Sequence, residues 1–401
     1  MNGKTIRLSE LLVSLCFLAF LFSAMVVTVA KYREADAFYE NRSLAAMPEY
    51  TAEADGNGSY VKDLDKFIVD RAALRTALLK WKTGLDLALG RPAVNDTVIS
   101  GGWFLPYLGY PQVDREEAAA SAELMADNLV RIRDAAAEYG GQYCYVAVPN
   151  QYVYGAEAYP SYMDSRFQKQ HLNVELLSAA LAERGVDFLD VGAEVEALGR
   201  PEGFMSKVDH HYTMEGAFLT YRLLMDKLAS MTGEELLILG EEDVAFETLP
   251  NTYLGSRARK LMGMVSSEEK LQLLWPKEEV PFARWDNGAE DLPRVYSMPD
   301  SAEEYATYGV YMGGDIAHTT IDTNRQELPS ILVYGDSFTN ALECILYLSF
   351  DRMDALDLRY HAEMSLTDYI RETQPDYVVC VRDYDALLLL SGNGAGEELI
   401  P

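Results

Sequence analysis

The chain is poor in cysteine, histidine and positive charge. Its 401 residues include 4 cysteines and 5 histidines, and no cysteine spacing matches a metal site or a disulfide framework. Lysine and arginine number 34 against 63 acidic residues, which gives a formal net charge of −29. Phosphates repel such a surface, so the composition argues against nucleic acid and anionic lipid as partners. Apolar residues make up 49% of the chain, enough for a packed core in one large domain or two ordinary ones.

One uncharged run lies near the N-terminus, from Leu11 to Ala30. As a helix it would span about 30 Å, the thickness of the hydrocarbon core of a bilayer. This length favours an uncleaved, single-pass anchor in the cell membrane, with the following domain outside the cytoplasm. A cleaved signal peptide and a buried core helix are the alternatives. Thr28-Val29-Ala30 is a poor cleavage site, and no polar face interrupts the run.

The remaining sequence predicts a large α/β domain. We divide the chain into residues 1–34 (cytoplasmic tip and membrane anchor), 35–92 (helical stalk or linker), 93–391 (α/β domain) and 392–401 (frayed tail). In the α/β domain, apolar runs of strand length alternate with helical periodicity, which predicts a doubly wound, mainly parallel sheet. Residues 232–328 interrupt the alternation with scattered glycine, proline and acidic residues, so we predict an excursion or lid there.

Two finer predictions concern the start of this region. Residues 61–89 have the apolar spacing of one continuous helix. Residues 96–107 have the pattern of a β-hairpin that turns at Gly101-Gly102.

Two short motifs bring together the groups of an acyl-transfer triad. Gly335-Asp336-Ser337-Phe338 follows a predicted strand, and Gly335 permits a tight turn before the next helix. In Asp209-His210-His211-Tyr212, an extended backbone would put the side chains of Asp209 and His211 on one side and that of His210 on the other. Ser337 would then be the nucleophile, His211 the base and Asp209 the group that orients the imidazole.

Other residues near the motifs are candidates for stabilising an oxyanion or contacting substrate. The N–H groups of the first helical turn after Ser337 lack helical partners and suit an oxyanion. The candidate side chains and turn residues are Asn340, Gly314, His210 and Tyr212. Four aromatic residues suit either a sugar-stacking surface or the core, namely Trp103, Tyr107, Tyr152 and Tyr154.

Plainer interpretations remain for both motifs. A Gly-Asp-Ser turn is common as a helix cap, and an Asp–His pair near a helix start also suits a loop hydrogen bond. Asp209, His210 and His211 are possible metal ligands, but no further histidine or cysteine cluster completes such a site. We therefore predict a triad with no metal and no cofactor.

With these residues the chain resembles the bacterial DHHW family and the alginate O-acetyltransferase-type proteins. The shared positions are Glu40-Asn41-Arg42, Leu44, Pro48-Glu49, Asp70-Arg71, Arg75, Val148-Pro149, Lys207 to Thr213, Gly216-Ala217, Leu254-Gly255-Ser256, Tyr308-Gly309-Val310, Gly313-Gly314, Gly335 to Phe338 and Asp357-Leu358-Arg359-Tyr360. The resemblance implies an SGNH-hydrolase-like fold in permuted order, with the Asp/His motif before the serine. Tyr212 stands where the family name has tryptophan.

The resemblance also implies a function. It indicates a membrane-anchored, extracytoplasmic O-acyltransferase, with acetyl as the expected group, or an esterase that acts on a cell-envelope polysaccharide. A membrane-bound acyl donor protein is a possible partner. The alternative is a non-catalytic envelope scaffold or glycan-binding module on the same fold.

Overall fold

The computed structural model describes residues 8–31, 36–40, 42–51, 59–109, 113–163, 168–361 and 364–394. The chain separates into two compact units. The first contains residues 1–96 and 258–266, and the second contains residues 97–257 and 267–401.

Helices and strands alternate through most of the chain. The helices are α1 Leu8–Ala30, α2 Ser59–Asp70, α3 Arg75–Ala88, α4 Arg115–Ala137, α5 Gln151–Tyr154, α6 Gln168–Glu183, α7 Val191–Ala197, α8 Met214–Thr232, α9 Ser256–Lys260, α10 Phe338–Leu346 and α11 Leu366–Thr373. The strands are β1 Asp36–Ala37, β2 Arg42–Ser43, β3 Thr97–Ser100, β4 Trp103–Pro106, β5 Gln142–Val148, β6 Asp187–Asp190, β7 Val244–Thr248, β8 Thr252–Tyr253, β9 Gln272–Pro276, β10 Ala283–Asp286, β11 Ala289–Asp291, β12 Tyr305–Ala306, β13 His318–Asp322, β14 Ile331–Gly335, β15 Arg352–Leu356 and β16 Tyr377–Asp383.

An eight-stranded mixed sheet forms the centre of the second unit. Its order is β11-β10-β13-β15-β14-β16-β5-β6. The five strands from β15 to β6 pair in parallel, whereas β13, β10 and β11 add antiparallel at one edge. The parallel strands are buried and nearly continuous in apolar residues, because helices cover them. Helix α4 packs against α6 and α11, and α8 packs against α10.

The antiparallel edge refines the prediction for residues 232–328. Most of this segment lies outside the sheet, as the scattered glycine and acidic residues suggest. Strands β10 and β11, however, return from it and extend the main sheet beyond β13. The hairpin predicted at residues 96–107 is confirmed, with β3 and β4 antiparallel around Gly101-Gly102.

The single helix predicted over residues 61–89 is wrong, because the structure has two. Helix α2 ends at Asp70, and α3 begins after Leu74, which has a left-handed backbone with φ 60°. Around the break, the carboxylate of Asp70 accepts two hydrogen bonds from the Arg42 guanidinium at 2.6 and 2.9 Å and one from the Ala45 N–H at 2.8 Å. These contacts hold the β2 segment against the end of α2.

The start of the predicted frayed tail is ordered. Asn393 is fully buried, and its side-chain Oδ1 accepts a hydrogen bond from the Tyr145 hydroxyl at 2.9 Å. Its amide donates to the Ala386 carbonyl at 2.9 Å. Residues up to 394 therefore pack on the second unit, and residues 395–401 lie outside the described part of the chain.

Helix α1 has the length and composition of a membrane span. Residues Ser9–Thr28 have a mean hydropathy of 2.5, and the side chains described there are exposed. A core helix would be buried, so this alternative loses support. A signal sequence near the N-terminus has the same length and composition as an anchor, and the charges of Lys4, Arg7 and Arg33 lie outside the described residues.

Candidate active site

Ser337 lies where a central parallel strand meets a helix. Strand β14 ends at Gly335, and Ser337 occupies the cap position before α10, with a half-buried side chain. Gly335 is required here by close packing. A Cβ at this position would lie 2.1 Å from the Val381 carbonyl oxygen on β16, so only glycine lets the two strands approach at this edge.

The fold brings Ser337 against His211, although 126 positions separate them. The Ser337 Oγ lies 2.7 Å from His211 Nε2. The other ring nitrogen, His211 Nδ1, lies 2.6 Å from Asp209 Oδ1. A carboxylate on Nδ1 fixes the tautomer with the proton on that nitrogen, which leaves Nε2 free to accept the serine proton.

Asp209 is held as an anion at the centre of a buried network. Its side chain is 1% exposed, and Oδ2 accepts a hydrogen bond from the Ser256 N–H at 2.6 Å. Burial alone would raise the pKa of the Asp209 carboxyl, but His211, His210 and this N–H outweigh burial and hold the pKa well below its usual range. The carboxylate is therefore ionised whenever the protein is folded near neutral pH.

Two further segments shape the Asp209 loop, and sequence reasoning gave them no role. The Ser206 hydroxyl accepts the N–H groups of Val208 and Asp209 at 3.2 and 2.9 Å. Gly255 lies against the same loop, where a Cβ would be 2.5 Å from the Val208 carbonyl oxygen. Gly255-Ser256 is among the motif positions of the resemblance, and this was the one sequence signal that could have indicated its role beside Asp209.

The extended-backbone argument predicted that His210 points away from His211. That prediction is wrong. Residues 207–211 form a series of bends, and the two imidazole rings are tilted with centroids 3.7 Å apart. The Ser256 Oγ lies 2.7 Å from His210 Nδ1 and accepts the His210 N–H at 3.2 Å. The bent backbone, rather than strand alternation, places Asp209 next to His211.

Two tyrosines hold the imidazole and the helix that carries Ser337. The Tyr308 ring stacks on His211 with centroids 3.7 Å apart and planes 8° from parallel. Tyr212, one of the candidate substrate residues, is buried, and its hydroxyl donates to the Phe338 carbonyl at the start of α10. Tyr212 therefore links the Asp/His loop to the serine helix by packing.

The first-turn N–H groups predicted as oxyanion donors are mostly engaged within the turn. The Phe338 N–H donates to Asp336 Oδ1 at 3.0 Å, and the Thr339 N–H donates to the Asp336 carbonyl at 2.9 Å. The Asn340 N–H donates to the Ser337 carbonyl at 3.3 Å. That part of the prediction is wrong, because Asp336 caps the turn itself.

Asn340 lies three residues after Ser337 on the same helix face and is fixed by a chain of charged groups. Its Nδ2 donates to Asp315 Oδ1 at 3.1 Å, which leaves the second Nδ2 hydrogen for another acceptor. Asp315 Oδ2 accepts from Arg359 Nη2 at 3.0 Å, and Arg359 Nε donates to Asp357 Oδ1 at 2.9 Å. The Asp357 to Tyr360 motif of the resemblance is thus connected through Asp315 to the amide of Asn340.

Gly314 has a left-handed backbone with φ 100°, and its N–H donates to the Tyr311 carbonyl at 3.0 Å. This is the bond of a plain turn next to Asp315, so that N–H is not available to an anion.

Asp209, His210 and His211 offer ligand atoms within 4.8 Å of one another. The Asp209 and His211 atoms already bond to each other, and His210 Nδ1 contacts Ser256. A metal at these atoms would have to displace those hydrogen bonds.

With this geometry established, comparison with known proteins shows what the chain is similar to. Residues 100–291 match a family described as the SGNH hydrolase-like domain of acetyltransferase AlgX. The fold is SGNH hydrolase-like. The resemblance drawn from the motifs, to DHHW and AlgX-type proteins, is confirmed. The matched range includes Asp209 and His211 and ends before Ser337.

Solved structures support the same fold over a longer range. Bacillus cereus PatB1 is 19% identical with a TM-score of 0.60, and its structure with a sulfonyl adduct is 20% identical with a TM-score of 0.59; each match covers 75% of this chain and 98% of that one. A DHHW family protein from Eubacterium siraeum is 16% identical with a TM-score of 0.56, over 77% of this chain and 96% of that one. A comparison with curated proteins finds no significant match.

Proposed function

We propose that this SGNH-like protein is a serine-dependent O-acyltransferase or esterase that acts on a cell-envelope polysaccharide, with acetyl as the acyl group. The observation that carries the proposal is the line of contacts from Ser337 Oγ through His211 to Asp209, at 2.7 and 2.6 Å. The match to an acetyltransferase family supports acetyl transfer.

The proposed reaction has two half-reactions. Ser337 Oγ attacks the carbonyl carbon of an acyl ester while His211 Nε2 takes the hydroxyl proton, and His211 then gives that proton to the departing alkoxide. A sugar hydroxyl or water next attacks the carbonyl carbon of the acyl-serine and passes its proton to His211 Nε2. His211 then gives this proton to Ser337 Oγ as the bond between Oγ and the acyl carbon breaks. Asp209 stabilises the imidazolium in both halves.

The oxyanion of each tetrahedral intermediate needs donors that are not used by the turn. We propose the Ser337 backbone N–H and the second Nδ2 hydrogen of Asn340. A donor already aimed by Asp315 would cost little reorganisation during the reaction.

The location proposed for this chemistry is outside the cytoplasm, with α1 as an uncleaved membrane anchor. Its apolar length supports the anchor. A donor protein in the same membrane would then deliver acyl groups to this protein.

The test is covalent labelling of the detergent-solubilised full chain with a sulfonyl fluoride, a reagent class suggested by the sulfonyl adduct in the PatB1 structure. We expect labelling of the wild type at Ser337, identified by peptide mass, and none of Ser337→Ala. The hydrolysis of p-nitrophenyl acetate should be lost in the same variant.

Folded wild-type protein that neither reacts nor hydrolyses the ester would contradict the enzyme proposal. The non-catalytic alternative, an envelope scaffold or glycan-binding module, would then account for the fold. Thermal unfolding of both proteins provides the control for folding.

A further inference from the structure

A concave site lies beside the Asp209 loop. It has a volume of about 250 Å³, and its side chains come from the segments around Trp103, Tyr154, Glu157, Glu202 and Lys207. Pockets for drug-sized ligands are typically about 300–1,000 Å³, so this one suits a single small unit.

The walls of the pocket are fixed before any ligand arrives. The Phe104 N–H, next to Trp103, donates to the Lys207 carbonyl at 2.7 Å. The Tyr154 hydroxyl donates to the Pro201 carbonyl at 2.6 Å. The Trp103 ring packs on Gly155, where a Cβ would lie 3.0 Å from the indole. A preformed site loses little conformational entropy on binding.

Three charged side chains in this pocket have no hydrogen-bond partner within the described part of the chain. Among the residues that the structure describes, the side chains of Glu157, Glu202 and Lys207 form no hydrogen bond or ion pair, and the Trp103 ring is half-buried. Carboxylates accept hydrogen bonds from hydroxyl groups, and an ammonium donates to hydroxyl oxygens. The C–H face of a sugar ring packs on the negative face of an indole.

We infer that this pocket binds one neutral sugar residue of an oligosaccharide chain. Arg200 also lines the pocket, but its guanidinium already donates to the Glu196 carboxylate at 3.3 Å and to the Tyr154 carbonyl. The charges left unpaired are two carboxylates and one ammonium, which disfavour a sugar that carries its own carboxylate or phosphate. Of the four aromatic residues considered from the sequence, Trp103 and Tyr154 line the pocket, whereas Tyr152 is buried with its hydroxyl on Asp385. The Tyr154 ring is covered by the Arg200 guanidinium and packs against Phe204, so Trp103 is the ring that offers a stacking face.

One loop connects the lining of the pocket to the candidate active site. Lys207 precedes Asp209 by two residues, which limits their Cα separation to about 7 Å. This inference rests on the proposed function in one respect only, namely that the bound chain continues toward Ser337. Binding itself does not need the serine.

The test is ligand-observed saturation-transfer NMR with the detergent-solubilised full chain and three probes: cellotetraose, N,N′,N″,N‴-tetraacetylchitotetraose and tetragalacturonate. We expect saturable binding of at least one neutral tetrasaccharide and at least about tenfold weaker binding of tetragalacturonate. Trp103→Ala should weaken neutral binding at least about tenfold, and Lys207→Met, which keeps an apolar stem of similar length, should weaken it severalfold. Trp275→Ala removes a tryptophan outside the pocket and should have no effect.

Ser337→Ala should bind the neutral probe as the wild type does, even though it loses ester hydrolysis. If the wild type failed to hydrolyse the ester but bound the neutral probe in a way that depends on Trp103, the enzyme proposal would be rejected and the subsite proposal would stand. The subsite proposal would be overturned if neither neutral probe showed saturable binding, or if tetragalacturonate bound more tightly than the neutral probes. It would also be overturned if the Trp103→Ala and Lys207→Met variants bound the neutral probe as tightly as the wild type does while unfolding at the wild-type temperature.

Discussion

At the residue scale, Asp209 is the group whose charge the proposed chemistry needs most. Asp209→Asn keeps the shape of the side chain but can present an N–H to His211 Nδ1, which favours the wrong tautomer. We expect p-nitrophenyl acetate hydrolysis to fall about 10³–10⁴-fold. Stopped-assay rates with detergent-solubilised protein measure this effect.

The matched control is Ser256→Ala. It removes the hydroxyl that contacts His210 and keeps the backbone N–H that donates to Asp209. This variant should lose at most about tenfold. A loss in Ser256→Ala as large as that in Asp209→Asn would mean that the loop's structure, not the carboxylate's charge, controls the rate.

Asn340 gives a second residue-scale prediction. If its free amide hydrogen stabilises the oxyanion, Asn340→Ala should lower kcat for ester hydrolysis about 10²-fold or more, with little change in KM. Arg359→Ala should produce part of this loss, because Asp315 then loses the guanidinium that orients it.

The distinguishing measurement is the split between kcat and KM, together with rescue by Arg359→Lys. A structural role would lower stability in both Arg359 variants and move KM and kcat together. An Asn340→Ala enzyme with unchanged kcat would exclude this amide as a donor.

The sequence predicted the residues of the candidate site better than their surroundings. The Asp-x-His spacing and the Gly-Asp-Ser turn identify chemically paired groups, so Asp209, His211 and Ser337 could be named. The bends at 207–211 and the role of Ser256 depend on contacts with a segment some 46 residues away. No local pattern encodes such contacts.

At the element scale, the junction of β14 with α10 depends on Gly335. Gly335→Ala would drive a methyl group into the Val381 carbonyl, so we expect a loss of at least about 3 kcal/mol in the free energy of unfolding. Urea denaturation measures this loss. Gly109→Ala, with open space around its Cβ, should change stability by less than about 0.5 kcal/mol. Equal stability of both variants would show that β14 and β16 separate easily.

Helix α10 also carries a buried acid, Glu343, which predicts a pH effect. Burial is the largest influence on Glu343 and raises its pKa to about 7. Below pH about 4.5 both the folded and the unfolded chain hold this proton. Between about 4.5 and 7 only the unfolded chain releases it, so rising pH favours unfolding, and above 7 the penalty is complete.

Glu343→Gln should therefore raise stability relative to the wild type at pH 8 by on the order of 2–3 kcal/mol, with little difference at pH 4. Paired thermal and urea unfolding at the two pH values measures the change. If the stability difference between Glu343→Gln and the wild type were the same at both pH values, packing and not ionisation would be its cause. Thr339, whose hydroxyl contacts Glu343, remains in both proteins.

At the scale of the whole molecule, the alternation of apolar runs predicted the parallel core but not its edge. Strands β14, β15 and β16 are short, apolar and separated by helices, which is the pattern of a buried parallel sheet. Strands β10 and β11 contain residues such as Arg284, Trp285 and Glu290 and are partly exposed. Strand β11 is the edge strand and its residues are exposed, and β10, which lies between β11 and β13, is only partly buried. The sequences of both strands therefore lack the apolar continuity on which the prediction relied.

The last prediction concerns the N-terminal helix, because a membrane anchor would determine the compartment of the SGNH-like domain. If Leu11–Ala30 is an uncleaved anchor, the full chain expressed in a bacterial host should sediment with membranes and resist extraction by carbonate. Its mass after purification should include residues 1–30. Deletion of residues 1–31 should give a product that no longer sediments with membranes. A cleaved signal peptide would instead yield a shortened chain in the soluble envelope fraction.

Topology can be measured on the same protein through its cysteines. Cys144, Cys344 and Cys380 are buried in the second unit, and Cys16 lies in α1. A cysteine placed at exposed Ser230 should therefore react with a membrane-impermeant maleimide in intact spheroplasts if the domain is extracytoplasmic. Protection until the membrane is lysed would put the domain in the cytoplasm and exclude envelope polysaccharide as the substrate, whatever Ser337 does in solution.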